Sequence, residues 1–107
     1  MATYAYIPVR AAITTTATDI YTVPAGKTAL VLTAQVANID GTAAADVTCT
    51  VGGGTKRALA NTIPVPADAS LGLITGPVAL NAAETIRVTA SANGDLEFVG
   101  TVMEITP

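Results

Sequence analysis

The sequence predicts an all-β chain, an antiparallel sandwich of about eight strands with a jelly-roll or immunoglobulin-like arrangement. Three observations carry this. Apolar residues recur at period two in several stretches, as in Val47, Cys49 and Val51 or Ile86, Val88, Ala90 and Ala92. Turn chemistry interrupts the chain roughly every 8 to 12 residues. The alanines, which would suit helices, are interleaved with Val, Thr and Ile at period two, and turn residues interrupt any window long enough to matter.

The elements follow in order. Tyr4 to Ile13 mixes aromatic and β-branched residues around Pro8, which suits an edge strand or an arm because proline lacks a ladder donor. Thr14 to Thr18 is polar and turns the chain toward a strand at Ile20 to Val23. Pro24-Ala25-Gly26 ends that strand, with Gly26 supplying the positive φ of a type II turn. The long strand Lys27 to Ile39 alternates, and Leu30, Leu32, Ala34 and Val36 are assigned to the core face. Asp40-Gly41 signals a hairpin or short loop into a partner strand, Asp46 to Val51.

Gly52-Gly53-Gly54 reverses the chain again, and Thr55 to Thr62 reads as a polar, peripheral strand. The prolines of Ile63-Pro64-Val65-Pro66 favour an extended segment outside the ladder. Leu71 to Ile74 and Val78 to Leu80 are short strands on either side of a Gly76-Pro77 kink. Ile86 to Asn93 is the next strand, and Asn93-Gly94-Asp95 suits a type I′ hairpin into the last one, Leu96 to Thr106. Leu96 and Phe98 share one parity and Met103 and Ile105 the other, so a bulge is expected at Gly100. Continuous pairing there would instead leave Val99, Met103 and Ile105 on a face available to another subunit. Three corners echo one another: Val23-Pro24-Ala25-Gly26, Val65-Pro66-Ala67-Asp68 and Leu80-Asn81-Ala82-Ala83. Residues 1–17 are read as an N-terminal arm or edge strand and 18–107 as a single β-sandwich domain.

Composition narrows the functional classes. The 107 residues are 50% hydrophobic, but alanine dominates that share, so the core is thin and subunit contacts are expected to supplement it. Only 12% are charged and the net charge is −3, the wrong sign for tracking phosphates, so no nucleic-acid partner is expected. No apolar run reaches the length of a membrane-spanning helix, and MATYAYIPVR lacks the basic-then-apolar pattern of a secretory leader. Synthesis in a cytoplasm and no membrane partner are the expectations.

Candidate chemistry is sparse. With no histidine, Ser-His-Asp and Cys-His constellations are excluded. The single cysteine, Cys49, sits on the apolar side of its strand and reads as a small core residue. Gly52-Gly53-Gly54-Thr55-Lys56 superficially suggests a phosphate loop, but its spacing is wrong and no helix follows, so a flexible hairpin connection is expected. Asp40 with Asp46, and Asp95 with Glu97, are acidic pairs without the alternating oxygen ligands of a calcium loop. No catalytic residue, cofactor or metal is assigned, and the chain is read as non-enzymatic.

The segments Ile20 to Val31, Ile63 to Ala67, Leu80 to Ala90 and Val102 to Thr106 resemble small β-sandwich virion proteins of tailed bacteriophages. In these, a Val-Pro-Ala-Gly corner, a Val-Pro-Ala corner and a Leu-x-Ala-x-Glu/Asp-Thr-Ile-Arg corner recur in the same order; here Asn81 replaces a proline frequent at the third. The resemblance spans residues 18–106 and implies a virion structural protein, a capsid decoration or cement protein above all, with collar, head-fibre or tail attachment as the alternative. It also implies a homo-oligomer, trimers included, in contact with major capsid or neck and tail proteins. Interface candidates are Tyr4, Tyr6, Ile7, Val9, Val99, Met103 and Ile105. A receptor- or carbohydrate-binding module is the reading from another class, weakened by the scarcity of aromatics.

Overall fold

Described over residues 2–107 by a computed structural model, the chain is one long antiparallel hairpin wound up on itself. Its strands are β1 (Thr3–Ile13), β2 (Thr18–Thr22), β3 (Thr28–Asn38), β4 (Ala45–Gly52), β5 (Lys56–Val65), β6 (Ser70–Gly72), β7 (Val78–Leu80), β8 (Thr85–Ala90) and β9 (Leu96–Thr106). Pairs nest like brackets around the glycine tip. Gly52 pairs with Lys56 and Ala45 with Val65; outside them come Gln35 with Gly72, Ala29 with Leu80, Thr18 with Val88 and Thr3 with Thr106. Rolling this ribbon up brings non-sequential strands together as two sheets, β1-β9-β3-β6 with β7 also on β3, and β2-β8-β4-β5. With β6 and β7 taken as one strand interrupted at Gly76-Pro77, this is an eight-stranded jelly roll.

The core lies between the sheets. Ile13, Val31, Val36, Val47, Cys49, Val65, Ile86, Val88, Leu96, Phe98 and Val102 are all buried. In β4 and β8 the expected alternation holds, with Val47, Cys49, Ile86, Val88 and Ala90 inward.

The alternation of β3 departs from expectation. Ala34 and Val36 are buried, but so are Ala29 and Val31, while Leu30 and Leu32 are only half-buried. Leu32 is an extra residue, a bulge between the Val31–Val102 and Thr33–Thr101 pairs, and it exchanges the two faces along β3. The bulge expected at Gly100 is therefore on the neighbouring strand. Strand β9 pairs with β1 without a break from Thr106 to Leu96, and Val102 and Glu104 continue the buried side begun by Leu96 and Phe98. Gly100 serves another purpose: a Cβ there would lie 2.6 Å from the Thr33 carbonyl oxygen and 2.9 Å from the Phe98 ring. Only glycine lets the bulged strand pass that close.

Two expected hairpins are corners between sheets. Strands β3 and β4 do not pair, because β3 is occupied by β9, β6 and β7, and β4 by β5 and β8. At Asn38–Ala43, the Asp40 carboxylate accepts the N–H groups of Thr42 (2.8 Å) and Ala43 (3.3 Å), turning the chain out of its sheet. Asn38, itself buried, donates to the carbonyls of Ala43 and Val65 at 2.9 Å each. Likewise Asn93-Gly94-Asp95 joins β8 to β9 across the sandwich; Gly94 keeps the positive φ of 83°, while Asn93 Oδ1 accepts the Thr15 N–H. Ile63-Pro64-Val65 lies within the ladder, paired with Val47, Asp46 and Ala45; an edge position accommodates Pro64.

The three echoed corners share one geometry. Lys27 donates to the Pro24 carbonyl, Ala69 to that of Pro66 and Glu84 to that of Asn81. Gly26 (77°), Asp68 (59°) and Ala83 (68°) take the positive φ at the third position of each turn.

Gly100→Ala is expected to destabilise the fold by about 2–3 kcal/mol, since neither the Thr33 backbone nor the Phe98 ring yields cheaply. Gly54→Ala, whose new Cβ meets nothing within 4 Å, is the neutral control in the same thermal melts.

Candidate interaction surface

Antiparallel partners that lie directly opposite share a sheet face, so the registers assemble the outer surface of the larger sheet. Across β1 and β9, Tyr4 faces Ile105, Tyr6 faces Met103 and Arg10 faces Val99; across β9 and β3, Met103 faces Leu30, which faces Ala79 on β7. One apolar row, Tyr6–Met103–Leu30–Ala79, therefore crosses four strands. Tyr4 and Tyr6 are 65% and 73% exposed and Val99 is 49% exposed. These are large side chains without a covering element.

Of the residues picked from sequence, Tyr4, Tyr6, Val99, Met103 and Ile105 gather on this face. Val9 does not: it is buried in the core, and the partly buried Ile7 packs against the same cluster. Strand β1 is the ladder partner of β9 along its whole length, so removing residues 1–9 would strip a structural edge and take Val9 from the core. Met1 itself lies outside the described residues. Leu30 was missed because its assignment to the core assumed unbroken alternation, and the Leu32 bulge has no Gly, Pro or Asn to announce it.

On the inner side of the same end, a polar cluster closes the sandwich. The Tyr21 hydroxyl donates to Glu104 Oε2 at 2.7 Å, and Lys27 Nζ lies 3.5 Å from Oε1. Burial first, then the Glu104 carboxylate, pushes the Tyr21 hydroxyl pKa well above its usual value. The phenol is held as a donor. The bond joins β2 of one sheet to β9 of the other.

The remaining chemical candidates have structural occupations. Burial pushes the Cys49 thiol up to about 12, so thiolate chemistry is suppressed at neutral pH. Lys56 Nζ donates to the carbonyls of Gly52 and Gly53 at 3.0 Å and to Thr85 Oγ1 at 2.9 Å, tying the glycine tip down. That tip turns carbonyls, not a cradle of N–H groups, toward its lysine. The acidic groups that meet are Asp40 and Asp95, from two corners: hydrogen bonds from Thr42 and Ala43 lower the Asp40 carboxyl pKa, while desolvation and then Asp40 raise that of Asp95. Among the described residues no group of three or more potential metal ligands forms.

No protein-family model matches the chain, and no curated protein sequence matches it. Among solved structures it is similar to the acid-stable capsid of Helicobacter pylori bacteriophage KHP30, with a TM-score of 0.58 and 10% identity over 100% of this chain and 94% of that one. It is also similar to the Bacillus endospore appendages, described as disulfide-linked pili, with a TM-score of 0.56 and 17% identity over 98% and 88% of the two chains. Infectious bursal disease virus VP2 aligns with 98% of this chain at 12% identity and a TM-score of 0.53, but over only 33% of its own length. At these identities the likeness is one of fold.

Glu104→Ala, which leaves the Tyr21 hydroxyl buried without its acceptor, is expected to cost about 2–3 kcal/mol. Glu104→Gln keeps an acceptor and is expected to cost less than half of that in chemical denaturation.

Proposed function

We propose that this chain is a non-enzymatic structural component of a tailed-phage virion, a capsid decoration or cement protein that self-associates and binds the shell through the outer face of its larger sheet. The observation that carries the reading is the uncovered row Tyr6–Met103–Leu30–Ala79, flanked by Tyr4, Ile105 and Val99. An apolar strip of this kind on a small sandwich with few charged residues is suited to contact with another protein. The shared jelly roll and the phage-like corner sequences support placing that contact on a virion. Attachment at a collar, head fibre or tail is the alternative position. Recognition of a carbohydrate or receptor is a second reading, favoured by the neighbouring exposed tyrosines Tyr4 and Tyr6.

The test is co-sedimentation of purified protein with heads of the producing phage that lack it. The double variant Tyr6→Asp, Met103→Asp is expected to bind at least about a hundredfold more weakly, because charges placed at the centre of the contact must be desolvated. Because the two carboxylates face each other across β1 and β9, a lower melting temperature is expected, and binding is measured well below it, where the variant is folded. Undiminished binding by a folded double variant would reject this face as the docking surface. Loss of glycan-array binding in that variant, without any head binding by the unaltered chain, would favour the second reading.

A further inference from the structure

The four sheet edges are unequal. Strand β5 carries Pro64, Thr62 at a positive φ of 52° and two register shifts against β4. Strand β2 has five residues and a shift between Asp19 and Tyr21, and β6 and β7 have three residues each. Short, bulged or proline-bearing edges resist pairing with other chains. Strand β1 keeps eleven residues in unbroken register with β9, and its own proline, Pro8, leaves the five residues Thr3 to Ile7 ahead of it without a proline, bulge or charge.

Hydrogen bonds elsewhere determine which backbone groups β1 leaves free. The Leu73 N–H donates to the Ala34 carbonyl, and the Asn38 N–H to that of Ala69, so Ala34 and Asn38 turn their backbones toward the β6 side. Backbone groups alternate between neighbours along an antiparallel strand, so Thr33, Gln35 and Ala37 face β9. Their partners Thr101, Val99 and Glu97 face back, which leaves Phe98, Gly100 and Val102 facing β1. Those pair with Ala11, Val9 and Ile7. Tyr4, Tyr6, Pro8, Arg10 and Ala12 therefore direct their backbone groups to the free edge, and Pro8, which has no N–H to offer, lies where the ladder with β9 loses nothing.

The N-terminal half of this edge is open. Thr3 to Tyr6 are exposed on both faces, and no side chain from Ala2 to Val9 carries a charge. Charged residues are a common guard on natural edges, and here the first is Arg10.

We propose that the free edge of β1 pairs antiparallel with β1 of a second copy across a twofold axis at Ala5, continuing the larger sheet through two molecules. The occupant is a second copy because the pairing is self-complementary: the stretch of β1 ahead of Pro8 is the longest edge on each molecule without a proline, bulge or charge, and it meets itself without like-charge repulsion. The register follows from Pro8. With Tyr4 opposite the partner subunit's Tyr6, two tyrosine pairs exchange backbone bonds and Pro8 falls at the end of the ladder. A shift toward Ile13 would put Pro8 opposite a tyrosine and forfeit a bond. This contact closes at two copies, unlike a threefold ring, and it stands independently of where on a particle the chain resides.

The test is oxidative cross-linking of the full-length chain carrying Ala5→Cys. Facing residues of a non-hydrogen-bonded pair lie about 4.5 Å apart at Cα, within disulfide range. The native Cys49 is buried and contributes no background. Ala5→Cys is expected to form the intermolecular disulfide at micromolar concentration at least about tenfold faster than Thr42→Cys, a collisional control on an exposed corner. In the otherwise unaltered chain, Tyr6→Pro removes an edge N–H and leaves the β9 ladder intact, whereas Tyr6→Ala keeps the N–H; sedimentation is expected to show about tenfold weaker dimerisation for the proline variant than for the alanine one. Equal cross-linking rates for the two cysteine variants, equal affinities for the two Tyr6 variants, or a monomer at all concentrations would overturn the proposal. Because these readouts use isolated protein, their failure leaves the shell-binding assay to be judged separately.

Discussion

Where β9 passes beneath Thr33, two backbones approach so closely that no side chain fits between them, and the arrangement of the larger sheet depends on that contact. Gly100 provides the clearance, the Phe98 ring packs against the same spot, and the extra residue Leu32 is accommodated on β3. The bulge decides which residues of β3 enter the core. Without it, Leu30 and Leu32 would point inward with Ala34 and Val36; with it, Ala29 and Val31 fill the far end of the sandwich and Leu30 joins Met103 on the outside. A packing constraint in the middle of the sheet thus creates the apolar row at its end.

The rest of the architecture follows from winding up a single ribbon. Each crossing between the sheets places two corners side by side: Val23 with Ala83 and Glu84, Asn38 with Ala69, and Thr14 with Ala90. The corners can therefore share hydrogen bonds, and buried polar groups such as Asn38 find partners from both arms. The Tyr21–Glu104 bond performs the same service near the paired ends of β1 and β9, where the apolar core gives out.

Much of this was legible in the residues. Period-two alternation identified β4 and β8, Pro8 marked an edge, and the three related corners were recognisable before their common hydrogen bond was seen. What could not be read was pairing across the sandwich. Asp40-Gly41 and Asn93-Gly94 encode reversals locally, yet the strands on either side of them already have all their neighbours. Local turn chemistry specifies a bend and not the identity of the next strand. The Leu32 bulge was hidden for a related reason: it sits where β3 passes close to β9 at Gly100, far along the chain, and nothing in Leu-Val-Leu-Thr-Ala records that. Five of the surface positions chosen from sequence lie together because β1 and β9 keep continuous register, while Val9, on the opposite parity of the same edge strand, turns inward to the core.

The same chain of registers, beginning at the bulge, fixes which backbone groups of β1 are bonded internally and which are left for a partner. Amide-resolved hydrogen exchange along β1, followed as protein concentration rises, measures this directly. In dilute solution the amides of Ile7, Val9 and Ala11 should exchange slowly and those of Tyr4, Tyr6 and Arg10 quickly; as the concentration rises, Tyr4 and Tyr6 should become protected while Arg10 stays fast. The opposite alternation, or Tyr4 and Tyr6 rates that do not change with concentration, would contradict the account.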